Sequence, residues 1–337
     1  GNMLCGQPSN QQNLAALVAD YAGLRGIEAI RTEAACASGA AAVRMGWMAV
    51  ASGLMDVVVA CGVEKMTDAP GGRTTSALAA AADAVYEGEH GISFVALNGL
   101  LMRRYMHEYG YEHDDFAGFS VNAHANAVHN PNAMFRKAIS PEAYRRAKMI
   151  SDPVSLLDSS GIADGAAAVV LAPTAHAQER GLPAVRVLAS SVGTDSVAIH
   201  DRHEMLHLSA ATLSVERALA QAGLRREDVD FYELHDAFTI IATLSLEAAG
   251  FAPRGQGVRM AMEGEITREG RLPISTMGGL KARGHPVGAS GVYQIVEAVQ
   301  QLRGEAGKRQ VSNAKYGLAH SVGGTGSTVV MHLLGVA

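Results

Sequence analysis

Cysteine is scarce in this chain of 337 residues: three occur, at positions 5, 36 and 61. They are too few and too widely spaced for a disulfide framework, so any thiol chemistry rests on single residues. Aromatic residues are only 5% and tryptophan occurs once, so the core must be mainly aliphatic. No apolar run approaches the ~20 residues that cross a bilayer, and no signal-peptide pattern opens the chain. A basic excess is also missing: 28 Lys and Arg stand against 33 Asp and Glu, a net charge of −5. This argues against nucleic acid as a partner, because such proteins neutralise many phosphates with a basic face. What is plentiful is glycine, 37 residues, and hydrophobic residues, 48%. The length can bury a large core, and the glycines suit many tight turns between strands and helices. The expectation is a soluble α/β protein of a reducing cytoplasm, with no membrane and no nucleic-acid role.

Within that frame the stretch EAACASGAAAVRMGWMAVASG carries the most information. Residues 27–34 mix β-branched and small side chains and predict a buried strand, and residues 37–51, rich in Ala and Met and free of Pro, predict a buried helix. Cys36 falls at the bend between them. A thiol there feels the partial positive charge of unpaired N–H groups, which favours the thiolate, and the same groups can hold an oxyanion. A packed core cysteine is the competing reading.

Three histidines join it. The stretch STMGGLKARGHPVGASG, residues 275–291, sets five glycines around His285, so backbone can approach closely on both sides of the imidazole. DFYELHDAFT predicts a strand ending in His235 and Asp236, and GLAHSVGGTGS carries His320 to the lip of a further glycine-rich turn. Each can be structural. Three together with a helix-capped thiol point to Cys/His acyl transfer.

These residues, with GVEKMTD after a strand at 55–60, ADGAAAVVL at 163–171, HDAF and the final GGTGS, resemble the thiolase family, in order and over nearly the whole chain. The subtype is similar to sterol-carrier-protein-linked and archaeal-type acetyl-CoA acetyltransferases. The resemblance implies an α/β thiolase fold, two pseudo-duplicated α/β halves in five layers with a loop-domain insert. The first half would span residues 1–175, with the insert at about 73–153, and the second residues 183–337. The repeat itself is not visible in the sequence. The insert is rich in Arg and Lys, and in the family it covers the pantetheine tunnel. Arg136, Lys137, Arg145 and Arg146 are therefore the candidates for the phosphates of coenzyme A, since an acidic protein needs a local basic patch to hold a polyanion.

Two departures from the family stand out. Its first strand, helix and second strand precede the segment at which this chain opens, Gly1-Asn2-Met3-Leu4, and a fold without them would leave a sheet edge and a core face uncovered. The general-acid cysteine is also missing: Ser321-Val322-Gly323 stands for the C-terminal Cys-x-Gly motif, and His235-Asp236-Ala237-Phe238 for the His-Asp-Cys-Phe motif. Cys61, expected just after a strand, and Cys5 are unconvincing replacements.

The resemblance implies a ping-pong reaction. Cys36 attacks an acyl-CoA thioester while His285 takes its proton, and the enolate of a second acetyl-CoA then attacks the acyl-cysteine. His235 and His285 would hold the enolate oxygen, and the backbone N–H groups of Cys36, Gly323 and Gly324 the tetrahedral oxyanion. His320 is the candidate to move the α-proton in place of the absent cysteine. No cofactor or metal is expected beyond coenzyme A thioesters as substrates. The resemblance further implies a homodimer or homotetramer, and a possible zinc-ribbon/OB-fold acyl-CoA-binding partner. A ketoacyl synthase, a non-catalytic or partner-dependent subunit, and an unrelated Cys/His hydrolase are the alternatives.

Overall fold

The computed structural model describes residues 1–4, 11–181 and 183–336. Helix α1 (Leu14–Tyr21) is shorter than the 10–24 stretch that reads as helical and buries none of its residues. The strand expected at 27–34 does not form: Ile27 and Ile30 are 55% and 73% exposed, and among the described residues no strand offers them a ladder. β-Propensity expresses itself only against a packing partner. Helix α2 (Ser38–Ala51) follows as expected. Strand β1 (Val58–Glu64) runs further than the sequence predicts, so Cys61 sits inside it, opposite Ala168, rather than after it.

The insert is largely helical: α3 (Gly71–Ala79), α4 (Phe94–Tyr109), α5 (Ala117–Ala127) and α6 (Pro141–Arg145), closed by the small hairpin of β2 (Met149–Ser151) and β3 (Val154–Ser155). Helix α4 is well delimited. The Ser93 hydroxyl accepts from the Ala96 N–H at 3.1 Å at its start, and Gly110, at φ 75°, ends it in the left-handed region that a side chain disfavours. Strand β4 (Gly165–Leu171) returns to pair antiparallel with β1.

After α7 (Thr174–Glu179) come β5 (Val185–Thr194), α8 (Ser209–Ala222), β6 (Phe231–Glu233), α9 (Thr239–Ala248), α10 (Gly257–Met262), α11 (Gly279–Arg283), α12 (Val287–Arg303), β7 (Tyr316–Gly323) and β8 (Thr328–Val336). The second sheet has the order β5-β8-β7-β6, with only β6 and β7 parallel. Helix α8 packs on β5 and β8, while α2 and α12 pack together between the two sheets. Four layers are thus built by the described residues: α8, the four-stranded sheet, the α2/α12 pair and the β1/β4 sheet. The far face of β1/β4 is open to solvent, with Val59 and Val170 53% and 68% exposed.

The α2/α12 crossing positions the chemistry. A Cβ on Gly39 would lie 2.5 Å from the Gly288 carbonyl oxygen, and one on Gly291 2.4 Å from the Ala40 nitrogen, so only glycine lets these backbones meet. Their N-terminal ends, preceded by Cys36 and His285, are thereby brought side by side.

Candidate active site

Cys36 Sγ and a ring nitrogen of each of His235 and His285 lie within 4.8 Å of one another, although the three residues are spread over 250 positions of sequence. All three are buried. The segment 158–162 binds the two histidine loops together through main-chain bonds. Ser160 N–H donates to the Ala237 carbonyl at 2.8 Å, Thr239 N–H to the Asp158 carbonyl at 2.9 Å, and His285 N–H to the Gly161 carbonyl at 3.2 Å. Lys281 Nζ donates to the Asp158 carbonyl at 2.5 Å and secures the same segment from α11. On the cysteine side Ala35 holds φ 49°, a strained setting for a residue with a Cβ. Ser38 fixes that turn, its hydroxyl accepting from Ala34 N–H at 2.9 Å and donating to the Ala35 carbonyl at 2.6 Å.

The thiol is not the thiolate expected from its place before a helix. Burial pushes it up to about 12, with the nearby Glu64 carboxylate adding to the rise, while its own N–H and that of Gly324 pull the other way. Two amide dipoles do not outweigh the loss of water around a charge. The N–H groups that face the sulfur are those of Cys36 and Gly324. Gly323, the third residue expected there, ends β7 opposite Thr328 and does not line the cavity.

His285 has a defined tautomer. Its Nδ1 lies 2.7 Å from Ser290 Oγ, and the single Ser290 hydroxyl proton is donated to the Pro286 carbonyl at 3.1 Å. Ser290 therefore accepts from Nδ1–H, and Nε2, buried without a partner, carries the lone pair. Burial holds this imidazole down to about 3. The site thus pairs a neutral thiol with a neutral base. His235 meets the His285 ring edge to face at 5.1 Å. Burial, then His285 and His320, push its pKa well below the usual histidine range, so it too is neutral.

His320 is not in a turn. It lies within β7, fully buried, with Nδ1 2.8 Å from the Tyr232 hydroxyl, and it neither lines the cavity nor joins the Cys36 cluster. Alternation along the strand turns its side chain toward Tyr232, while Ser321, on the other face, donates to Gln294 Oε1 at 2.6 Å. The turn position expected for His320 is corrected accordingly. Ala237 does line the cavity and has no titratable group. Cys61 is half-buried in β1 and outside the cavity; Cys5 lies outside the described residues.

Above Cys36 opens a cavity of about 380 Å3 lined by residues of α3, α4, α9, the 159–162 segment and both histidine loops. Arg145 is paired with Glu142 at 2.7 Å and Asp114 at 3.1 Å, and Arg146 with Glu142 at 2.7 Å. Arg136 and Lys137 are exposed and follow Phe135, whose ring would lie 3.2 Å from a Cβ on the lining residue Gly161. None of the four basic residues lines the cavity itself.

Sequence reasoning missed three residues that hold the site. Glu64 is buried and accepts from Asn2 Nδ2 at 2.7 Å, Met3 N–H at 2.8 Å and Gly288 N–H at 3.1 Å, tying the chain start to the His285 loop. Ser290 and Lys281 were written in the glycine-rich block, but their roles depend on partners distant in sequence. Sulfur and two imidazoles are also a ligand set that zinc accepts.

The buried imidazoles make an expected acid response. His285 and His320 are held at about 3 and His332 at about 4, in each case by burial first. The unfolded chain, near ~6.5, binds more protons below that pH, so stability falls as pH drops from ~6.5 toward the folded values, by ~1.4 kcal/mol per pH unit for each imidazole. Glu233, raised to about 8 by burial and by Glu297, works in the opposite sense over the same window. Burial lowers His124, His207 and His235 as well and raises Glu64, Asp236 and Glu247, so six imidazoles stand against four carboxylates; the balance is a net loss, and the urea midpoint at pH 5 should lie below that at pH 6.5. Equal midpoints would contradict the neutral buried imidazoles.

A buried neutral thiol, an imidazole lone pair beside it and two amide donors at the foot of a cavity define an acyl-transferase that works through a thioester on the protein. Residues 1–175 match the family description "Thiolase, N-terminal domain" and residues 191–336 "Thiolase C-terminal domain-like". An acetyl-CoA acetyltransferase of Methanothermobacter thermautotrophicus is 44% identical over 99% of this chain and 86% of its own length. Human sterol carrier protein 2 is 33% identical over 98% of this chain and 61% of its own length. Among solved structures, the Ltp2-ChsH2(DUF35) aldolase superposes with a TM-score of 0.82 at 26% identity, over 95% of this chain and 83% of that one. The Acat5 thiolase from Ascaris suum in complex with coenzyme A gives 0.70 at 21% identity, over all of this chain and 86% of that one. The chain belongs to the thiolase family and has the α/β thiolase fold.

Proposed function

We propose that this protein makes or cleaves 3-ketoacyl-CoA by Claisen condensation and thiolysis through an acyl group on Cys36. The observation that carries the reading is the unpartnered His285 Nε2 in the Cys36 cluster. In the first half-reaction the thiol proton passes to His285 Nε2 as sulfur attacks the thioester carbonyl. A neutral pair suits this, because charge appears only as the bond forms. The N–H groups of Cys36 and Gly324 receive the oxyanion, coenzyme A leaves with the proton, and His285 is neutral again. In the second half-reaction the same lone pair takes the α-proton of acetyl-CoA, and His235 donates to the enolate oxygen. Among the described residues Cys36, His235 and His285 are the titratable groups of the cavity wall, so the role first given to His320 is assigned to His285.

The coenzyme's phosphates are assigned to Arg136 and Lys137, which make no ion pair among the described residues, rather than to Arg145 and Arg146, which are engaged with acids. The reading includes no cofactor beyond the CoA thioesters. It carries a reducing compartment, because Cys36 must stay a free thiol, and a homodimer or homotetramer. A partner-assisted site is the second reading. It is favoured by the missing acid cysteine and by the likeness to a structure named as an assembly with a DUF35 component. Mixing the protein with acetoacetyl-CoA and free CoA and following loss of the 3-ketothioester tests the reading. No loss, with no acetyl adduct on Cys36 from acetyl-CoA, would overturn it.

A further inference from the structure

Asp158 is fully buried and does not line the cavity, but the four residues that follow it, Ser159 to Ile162, all do. A buried carboxylate is costly unless it is paired and its lone pairs are filled. Here they are filled from the insert and its closing hairpin. Oδ2 accepts from His113 Nε2 at 2.7 Å, from the Ser155 hydroxyl at 2.6 Å and from the Ser155 N–H at 2.9 Å, and Oδ1 accepts from the Tyr144 hydroxyl. An ionised carboxylate can only accept, which places the His113 proton on Nε2. The rings of His113, in the 3-10 turn before α5, and Tyr144, in α6, stack with centroids 4.7 Å apart and planes at 11°. Each donor thus holds the other in place. Burial works against the charge, but His113, Lys281, Ser155 and Tyr144 outweigh it and hold Asp158 below the usual carboxylate range.

The main chain of the same residue serves the catalytic loops. Its carbonyl accepts from Thr239 N–H at 2.9 Å and from Lys281 Nζ at 2.5 Å. Thr239 stands four residues after His235, and Lys281 four residues before His285. One residue therefore ties the insert to the His235 loop and to the His285 loop at once. The reaction does not use this carboxylate. Stability does not call for it either, because a buried ionic group can often be replaced by hydrocarbon of similar volume at no loss. What such a group supplies is a fixed place for its neighbours.

We infer that Asp158 is a positioning residue for the acyl transfer, holding His235 and His285 in register with Cys36 by anchoring their shared carbonyl acceptor to His113 and Tyr144 of the insert. The inference rests on the thiolase reading above. Because one carbonyl serves both loops, a slack anchor reaches both half-reactions. His285 loses its alignment on the thiol proton, and His235 its alignment on the enolate oxygen. A misplacement of about 1 Å is enough to cost on the order of 10²-fold in rate. Coenzyme A binding depends on the anchor far less, since its phosphates are assigned to Arg136 and Lys137, which make no contact with the Asp158 carboxylate.

Acetylation of Cys36 by acetyl-CoA is timed by quenched-flow mass spectrometry, condensation by the appearance of acetoacetyl-CoA, and coenzyme A binding by calorimetry. Asp158→Asn keeps the shape of the side chain and removes its charge. It should slow both half-reactions by roughly 10–100-fold, the loss typical of a missing orienting partner, while the Kd for coenzyme A moves far less. His113→Leu fills the space without a donor and should act in the same direction; combined with Asp158→Asn it should add little, because both break one link. His113→Gln, whose Nε2 can still donate, should restore most of the rate. The Gln and Leu variants carry the test by themselves if Asp158→Asn fails to fold. Equal rates for those two, or a loss shared equally by acetylation and coenzyme A binding, would reduce Asp158 to a residue of the fold and overturn the inference. An acetyl adduct on wild-type Cys36, with rates unmoved in every variant, would sink it and leave the thiolase reading standing. No adduct on the wild type would overturn both.

Discussion

Cys36→Ala should abolish the acyl-enzyme and, with it, turnover, with a rate loss on the order of 10⁶, as when a catalytic nucleophile is removed from a hydrolase. No other described thiol can take over, because Cys61 lies in β1 outside the cavity. Mass spectrometry of the protein mixed with acetyl-CoA should find one acetyl group on the wild type, on the peptide containing Cys36, and none on the variant. The same thiol should be slow toward iodoacetamide at pH 7 in the free protein. Sequence alone points to Cys36 as a thiol activated by a helix N-terminus, but burial that raises it to about 12 leaves very little thiolate. Reactivity should appear only with a thioester bound, when His285 and the two amide donors act on the forming charge. Rapid alkylation of free Cys36 at neutral pH would contradict this account.

His285→Ala should slow acylation of Cys36 by ~10²–10⁴-fold, the usual contribution of a general base, and weaken binding of CoA far less, because the imidazole touches a proton and not the phosphates. The pH profile distinguishes this role from a structural one. His285 must be neutral to accept the proton, and it is held at about 3, while the thiol titrates at about 12. The rate should therefore be independent of their ionisation between roughly pH 5 and 9, falling on the acid side only as the imidazole charges or the fold is lost. A bell centred near pH 7 would mean that these groups titrate in water-like surroundings. Ser290→Ala should retain the imidazole but release its Nδ1–H, costing roughly 10–100-fold as loss of an orienting partner does, with less effect than removal of the ring. Stopped-flow acylation that is unchanged in both variants would remove His285 from the reaction.

The sequence by itself determined the family, and with it the fold, through motifs whose chemistry is local: glycines around His285 and a thiol between a turn and a small-residue helix. It also singled out His235 and His285, which the fold brings to the cavity beside Cys36, because a histidine at a strand end or in a glycine-rich loop is presented by its own neighbours. The strand expected at 27–34 failed because strand formation needs a partner that no local pattern supplies. His320 was misread because a glycine-rich stretch looks like a turn until pairing with β8 draws it into a strand, and alternation then decides which face its ring takes. Only the tertiary structure decided the protonation of the site. The Cys36 pKa reflects the water excluded around the buried thiol, set against two amides, one of them Gly324, 288 positions away. The tautomer of His285 depends on where the single proton of Ser290 goes, and the apolar cavity exists only where α3, α4 and α9 close over the thiol. Desolvation, tautomer and cavity shape are sums over neighbours distant in the chain, and no stretch of sequence contains them.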